Sequence, residues 1–250
     1  MVATGTRYWL VMPAAGASRR FGPGGSKLQL PLAGRTVLEI ALKVFDQDPR
    51  CMGMALALLP AALASPGLRA RFDARVLPVA GGARRCDSVM AGLAALAGAG
   101  AGEQDWVLVH DAARPCLSSA DLERLLAAGS GHPVGALLAE PVTDTIKRSD
   151  GGSGYEGTVD RSHLWRALTP QMFRYGPLNR ALQAAAGAGR EPTDEAQAME
   201  WQGERPMLVA ALDGNIKITS PRDLELVAAI VALRAGQPLA TGAAGTRTCG

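Results

Sequence analysis

Paired cysteines, paired histidines and long apolar runs are all missing from this chain, and each absence removes a class of function. The four cysteines, Cys51, Cys86, Cys116 and Cys249, lie far apart, with no CxxC or zinc-knuckle spacing. They read as reduced thiols of a cytoplasmic protein, not as a disulfide framework. His110, His132 and His163 form no H-x-x-x-H pair, so no histidine-based metal centre is indicated. The longest apolar stretches, 51–64 and 89–102, are broken by Pro60 or diluted by glycine. Neither reaches the roughly 18 residues that cross a bilayer, so no membrane partner is expected. The apolar run 8–12 is too short for a secretion signal, and only Arg7 precedes it with charge. A net charge of +3, from 26 basic and 23 acidic residues, is too diffuse to argue for nucleic acid.

What is present is an ordinary folding composition: 250 residues, 48% apolar and 20% charged. A folded chain of this length buries roughly 70–75% of its extended surface and needs no covalent or metal staples. Short apolar runs alternate with amphipathic stretches, which predicts an α/β fold with a mostly parallel sheet. Strands are expected at 9–13, 54–59, 76–79, 106–110, 135–140, 207–211 and 216–219. Thr36 and Glu39 form a capping box opening a helix to about Phe45, and Ser118 with Asp121 marks a second helix start. Ser220-Pro221-Arg222-Asp223 marks a third, running to about Leu233. Residues 141–160, around Asp150-Gly151-Gly152-Ser153-Gly154, read as an extended hairpin arm too polar to hold a core of its own. Such an arm packs on something else, in an oligomer on a neighbouring subunit. Residues 235–250 are small and polar without periodicity and are expected to be a disordered tail after one domain at 1–234.

The first strand runs into PAAGASRRFGPGGSK at residues 13–27. Small residues admit a ligand to the backbone, whose amides cradle phosphate oxygens, and Arg19, Arg20 and Lys27 add positive charge. It is neither a Walker A motif, since Leu28 follows the lysine, nor a dinucleotide fingerprint, since Ser18 holds the second glycine position. A basic glycine-rich surface turn is the plainer alternative. Asp111, after the strand ending in His110, lies where ligands of open α/β sheets bind and where a carboxylate anchors Mg²⁺ beside phosphates. Its plainer alternative is a turn in which Arg114 pairs with it. Gly81-Gly82-Ala83-Arg84-Arg85-Cys86-Asp87-Ser88 has the form of an anion- or base-binding turn between strand and helix. Lys217, near the end of a late strand, taken alone is more often a solvated charge than a ligand.

Together, VLVHDAARP at 107–115, LTPQ at 168–171, DGNIK at 213–217 and the glycine loop closely resemble the 2-C-methyl-D-erythritol 4-phosphate cytidylyltransferases of non-mevalonate isoprenoid biosynthesis. The matching passages keep the family order over about 9–231. The resemblance implies a Rossmann-like nucleotidyltransferase domain, an arm at about 141–163 that builds a homodimer, and Mg²⁺ or another divalent cation as cofactor. It implies transfer of CMP from CTP to the polyol phosphate. By the same resemblance Ala14, Ala15, Gly16, Gly82, Ser88 and Asp111 match nucleotide-side positions, with Asp111 also at the metal. Arg20 and Lys27 match catalytic residues, and Thr145, Arg161, Thr169, Thr193 and Lys217 match substrate-side positions. Thr145 and Arg161 are expected to reach the partner's site. Three positions depart from the family pattern: Ser18 for glycine, Ser26 for proline, and Ala83 for an acid. The alternatives weighed are another polyol phosphate such as ribitol 5-phosphate, a non-catalytic nucleotide-binding protein, and an NAD-dependent dehydrogenase, disfavoured by the missing second glycine. A fusion to the next cyclodiphosphate-forming enzyme is not expected from the short stretch after Arg234.

Overall fold

The computed structural model describes residues 5–16, 26–65 and 71–236. Its central sheet holds β1 (Tyr8–Ala14), β4 (Cys51–Leu58), β5 (Val76–Ala80), β6 (Trp106–Val109), β7 (Gly135–Pro141), β10 (Trp165–Arg174) and β11 (Met207–Ala210). The strand order is β11-β7-β10-β6-β1-β4-β5. All neighbours run parallel except β10, which is antiparallel to both β6 and β7. The mostly parallel α/β sheet read from the sequence is therefore present. A short hairpin of β2 (Pro31–Leu32) and β3 (Arg35–Thr36) precedes the first helix, and β8 (Ile146–Ser149) with β9 (Tyr155–Val159) forms the arm.

The helices are α1 (Val37–Asp46), α2 (Pro60–Leu63), α3 (Arg85–Gly98), α4 (Ser119–Ser130), α5 (Tyr175–Gly187), α6 (Glu195–Glu200) and α7 (Pro221–Arg234). They cover both faces of the sheet. Successive side chains of a strand point to opposite faces, and β1 divides accordingly. Tyr8, Leu10 and Met12 join one core with Phe45 of α1, Leu125 of α4 and Val227 of α7. Trp9 and Val11 join the other with Leu93 of α3, Leu178 of α5 and Met199 of α6. Burial on both faces explains why the central strands are uninterrupted apolar runs.

Thr36, Ser118 and Ser220 cap α1, α4 and α7 as expected, with full capping boxes at Thr36–Glu39 and Ser220–Asp223. Two readings need correction. Residues 216–219 are not a strand: Ile218 donates a backbone bond to the Ala113 carbonyl in the loop after β6, and no ladder forms. The ten-residue β10 was not foreseen, because Pro170 cannot donate to a ladder. The strand accommodates it with a register shift against β7 between Ala167 and Gln171. The expected tail falls outside the described residues apart from Ala235 and Gly236, as does Cys249. Cys51, Cys86 and Cys116 are buried free thiols. Among the described residues no helix is long and apolar enough to cross a membrane.

Candidate active site

The chain leaves β1 toward β4 and β5 on one side, then returns to place β6 on the other side of β1. Such a reversal opens a crevice at the carboxyl ends of the strands. A cleft of about 390 Å³ lies there, lined by Ala14, Ala15 and Gly16 after β1, Gly82–Ser88 residues after β5, and Asp111 after β6. Lys27 and Lys217 close it from two further loops. Among the described lining residues, Lys27, Arg84, Arg85 and Lys217 oppose one carboxylate, Asp111. That balance suits a polyanionic ligand.

Lys27 opens a short 3-10 turn, Lys27–Gln29, whose cap is Ser26: its hydroxyl accepts from the Leu28 amide at 3.3 Å. The serine thus replaces the ring constraint of the usual proline with a side-chain cap. Leu28 anchors the turn in the core, and Lys27 Nζ donates to the Ile218 carbonyl at 2.5 Å. This anchor holds the ammonium at the lining of the cleft. Arg20 and Ser18 lie outside the described residues.

The turn after β5 needs both of its glycines. A Cβ on Gly81 would stand 2.4 Å from the Ala15 Cβ, and one on Gly82 would stand 2.3 Å from the Asp87 Cβ. Ser88 is buried, and its hydroxyl accepts from the Gly82 amide at 3.1 Å while donating to the Arg84 carbonyl at 3.3 Å. It therefore shapes the turn as well as lining the cleft. Asp87 holds Arg84 through Oδ1 at 2.7 Å and the Arg84 amide through Oδ2 at 3.1 Å. Ala83, at the departure from the family's acid, presents only a methyl group to the cleft.

Asp111 is the hub. Its Oδ1 accepts from Arg85 Nε at 3.1 Å, and its Oδ2 meets Lys217 Nζ at 2.8 Å and Arg114 Nε at 3.6 Å. Burial opposes its ionisation, but Arg85 and Lys217 outweigh burial and hold the carboxyl well below the usual carboxylate range. Asp111 lines the cleft, and Arg114 pairs with it as the plainer sequence reading expected. Its amide donates to Thr169 Oγ1 at 3.0 Å. His110 Nε2 lies 3.0 Å from the Arg114 carbonyl, which only accepts, so Nε2 carries the proton. Nδ1 then accepts from the Thr169 hydroxyl at 3.1 Å. Burial pushes the His110 pKa down to about 4, so the ring is a neutral strut and not an acid–base group. Asn215 closes the set, donating through Nδ2 to the Thr169 carbonyl at 2.6 Å while its backbone carbonyl accepts from Arg114 Nη1 at 2.8 Å.

The nucleotide-side positions Ala14, Ala15, Gly16, Gly82, Ser88 and Asp111 thus converge on one cleft with Lys27 and Lys217. Thr169 lies beneath Asp111, buried, and orients its backbone. Thr193 is exposed and outside the cleft lining, its amide donating to Gln197 Oε1 at 2.8 Å. Thr145 and Arg161 pair with each other on the exposed arm at 3.2 Å, away from the cleft lining. Sequence reasoning placed Arg84 and Arg85 in an anion- or base-binding turn and Arg114 beside Asp111, but gave neither these three nor Glu195 a site role of its own. The doubled arginine in GGARRCDS was a signal for the first two. Glu195 falls in the family-like passage 193–196, but its pairing with Arg85, 110 positions away, was not readable there.

The donor set fits the divalent cation that the sequence implies. Mg²⁺ commonly takes one or two carboxylates together with substrate phosphates and water. Asp111 offers about four lone-pair directions; Arg85 takes one on Oδ1, and Lys217 with the more distant Arg114 occupies Oδ2, which leaves a direction on Oδ1 for a cation. No cluster of three or more acidic, histidine or cysteine ligands exists among the described residues, so such an ion would depend on the nucleotide's own oxygens.

The family model described as 2-C-methyl-D-erythritol 4-phosphate cytidylyltransferase matches residues 8–233. A protein of that name from Ectopseudomonas mendocina is 50% identical over 219 residues, covering 88% of this chain and 93% of the relative. Another from Acidithiobacillus ferrooxidans is 49% identical over 232 residues, covering 91% and 98%. A crystal structure of 4-diphosphocytidyl-2C-methyl-D-erythritol synthase superposes with a TM-score of 0.78 at 36% identity, over 92% of this chain and 100% of the other. The cytidylyltransferase from Thermus thermophilus does so with a TM-score of 0.72 at 32% identity, over 90% and 98%. Sequence motifs, strand order and a match running from the first strand to the last helix agree, and the chain belongs to the 2-C-methyl-D-erythritol 4-phosphate cytidylyltransferase family.

Proposed function

We infer that this chain transfers CMP from CTP to 2-C-methyl-D-erythritol 4-phosphate, giving 4-diphosphocytidyl-2-C-methyl-D-erythritol and pyrophosphate, a step of isoprenoid precursor synthesis. The observation that carries this reading is the cleft itself, where Lys27 and Lys217 enter from separate loops and Asp111 stands at the end of β6. An oxygen of the acceptor phosphate attacks the α-phosphorus of CTP, the new P–O bond forms, and the bond to the β-phosphate oxygen breaks. A phosphate monoester has its second pKa near about 6, so the nucleophile is ionised at neutral pH and no general base is required. This accords with a site whose one histidine, His110, is neutral and buried.

The barrier is the approach of two anions, which repel by about 4 kcal/mol per pair of unit charges at 4 Å and an effective dielectric of 20. Lys27 and Arg20, which match the family's catalytic residues, offset that repulsion and neutralise charge growing on the leaving oxygens. Lys217 keeps donors beyond its bond to Asp111 for the acceptor phosphate. Asp111 would hold Mg²⁺, which when bound supplies charge neutralisation across the triphosphate. Gly81 and Gly82 admit the nucleotide close to the backbone, and Ser88 fixes that turn.

The reaction in this reading takes place in a homodimer in the cytoplasm. The arm supports the dimer: Thr145 and Arg161 are presented on a hairpin away from their own cleft, as residues serving a neighbour would be. Three buried free thiols accord with a reducing compartment. The deciding experiment is incubation with CTP, Mg²⁺ and each candidate polyol phosphate while pyrophosphate is followed. Release with methylerythritol phosphate is expected. Release with ribitol 5-phosphate alone would reassign the acceptor, and release with neither would reject the enzyme reading.

A further inference from the structure

Glu195 does not line the cleft, yet it is bound to the group that organises it. The side chain is 1% exposed, and both of its oxygens are taken by Arg85, Oε1 from Nη1 at 2.6 Å and Oε2 from Nη2 at 3.0 Å. The third edge of the same guanidinium, Nε, donates to Asp111 Oδ1 at 3.1 Å. Arg85 therefore bridges a buried carboxylate and the cleft carboxylate.

The buried end is rigidly mounted. Asp194 caps α6, accepting from the Gln197 amide at 2.9 Å. Gln171 of β10 accepts from the Ala196 amide at 2.8 Å and donates to Asp194 Oδ2 at 2.9 Å. Glu195 thus stands between two residues tied to the central sheet. Stability does not account for a carboxylate there, because a buried ion pair is often no better than well-packed apolar residues of the same volume. Its consequence lies at the cleft, where Arg85 is one of the lining cations.

We propose that Glu195 is a positioning residue for nucleotidyl transfer: by holding the Arg85 fork and balancing its charge, it keeps Arg85 on Asp111 instead of letting it close on the triphosphate. The proposal rests on the cytidylyl-transfer reading. Without Glu195 the guanidinium keeps its positive charge but loses its bidentate anchor, beside a ligand of several negative charges. The nucleotide is then held more tightly and out of line, and a displacement of about 1 Å can cost on the order of a hundredfold in rate.

The test is Glu195→Gln in the full chain, with turnover and KM measured for both substrates and CTP binding followed by calorimetry. The expected result is kcat lowered about tenfold to a hundredfold while CTP binds about threefold to tenfold more tightly. A merely structural role would weaken CTP binding and turnover together, and that outcome, or an unchanged kcat, overturns the proposal. Should Glu195→Gln fail to fold, Arg85→Gln is compared with the Arg85→Gln/Glu195→Gln pair, which removes both buried charges. Because Glu195 acts only through Arg85, the second change should move kcat and CTP affinity by less than about twofold. A further loss overturns the proposal. If the wild-type protein released no pyrophosphate from any acceptor, the function would fall on that result. CTP affinity alone would then judge Glu195, with equal or weaker binding in Glu195→Gln counting against it.

Discussion

Charge at single residues carries the chemistry of this cleft. Lys27 lines the cleft and is tied by its ammonium to the Ile218 carbonyl, which fixes where its charge sits. Lys27→Ala and Arg20→Ala should each lower kcat by on the order of 10²–10³ with a much smaller effect on CTP binding, as loss of a preorganised donor does. Single-turnover kinetics with separate binding measurements checks the split. His110 gives a prediction of a different kind. Its folded pKa of about 4 lies below the ordinary value near 6.5, so the unfolded chain binds the proton first as pH falls. The stability it contributes is complete above about pH 6.5 and is lost as pH falls toward 4. About 2 kcal/mol should disappear between pH 7 and 5, read as a falling urea midpoint. The displaced carboxyls of Glu39, Asp48 and Asp111 are shifted downward and act at lower pH. His110→Gln should flatten the slope between pH 7 and 5 even if the variant is less stable overall.

Among the elements, the turn joining β5 to α3 does most to shape the nucleotide side. Gly81 and Gly82 leave no space for a methyl group, and Ser88 closes the turn from the helix. Gly82→Ala must push Asp87 and the start of α3 outward, since the new Cβ would also stand 3.3 Å from the Asp87 carbonyl carbon. Steady-state kinetics should show KM for CTP raised on the order of tenfold while the melting temperature falls by only a few degrees, the size of a roughly 1 kcal/mol loss. An unchanged KM would remove this turn from the nucleotide site. Caps, by contrast, were legible because they are local: Thr36, Ser118 and Ser220 each bond an amide three positions on. β10 was not, because Pro170 interrupts its pattern and only the register shift against β7 makes room for it.

For the whole molecule, the arm is the telling feature. Its strands pair only with each other, and Tyr155 is 64% exposed. In the dimer reading, each arm serves the opposite cleft. Mixing Arg161→Ala with Lys27→Ala protomers should then restore activity in verified heterodimers, since one of the two clefts regains both residues. Deleting 146–159 should leave a folded monomer with little turnover, seen by sedimentation velocity. Heterodimers without recovered activity would show that each protomer serves itself.

The positions that line the cleft were read through the resemblance to a family, whereas the amino-acid sequence alone determined the layered α/β plan, the helix starts and the arm. Each of these last three follows from interactions between near neighbours in the chain: apolar alternation, caps and glycine turns. The tertiary structure decided what those residues are bonded to. Asp111 is gripped by Arg85 and Lys217 and held at its backbone by Thr169, and Arg85 is gripped in turn by Glu195. Such partners meet because the strand order brings distant loops to one edge of the sheet, and pairing across that distance leaves no periodic trace in sequence.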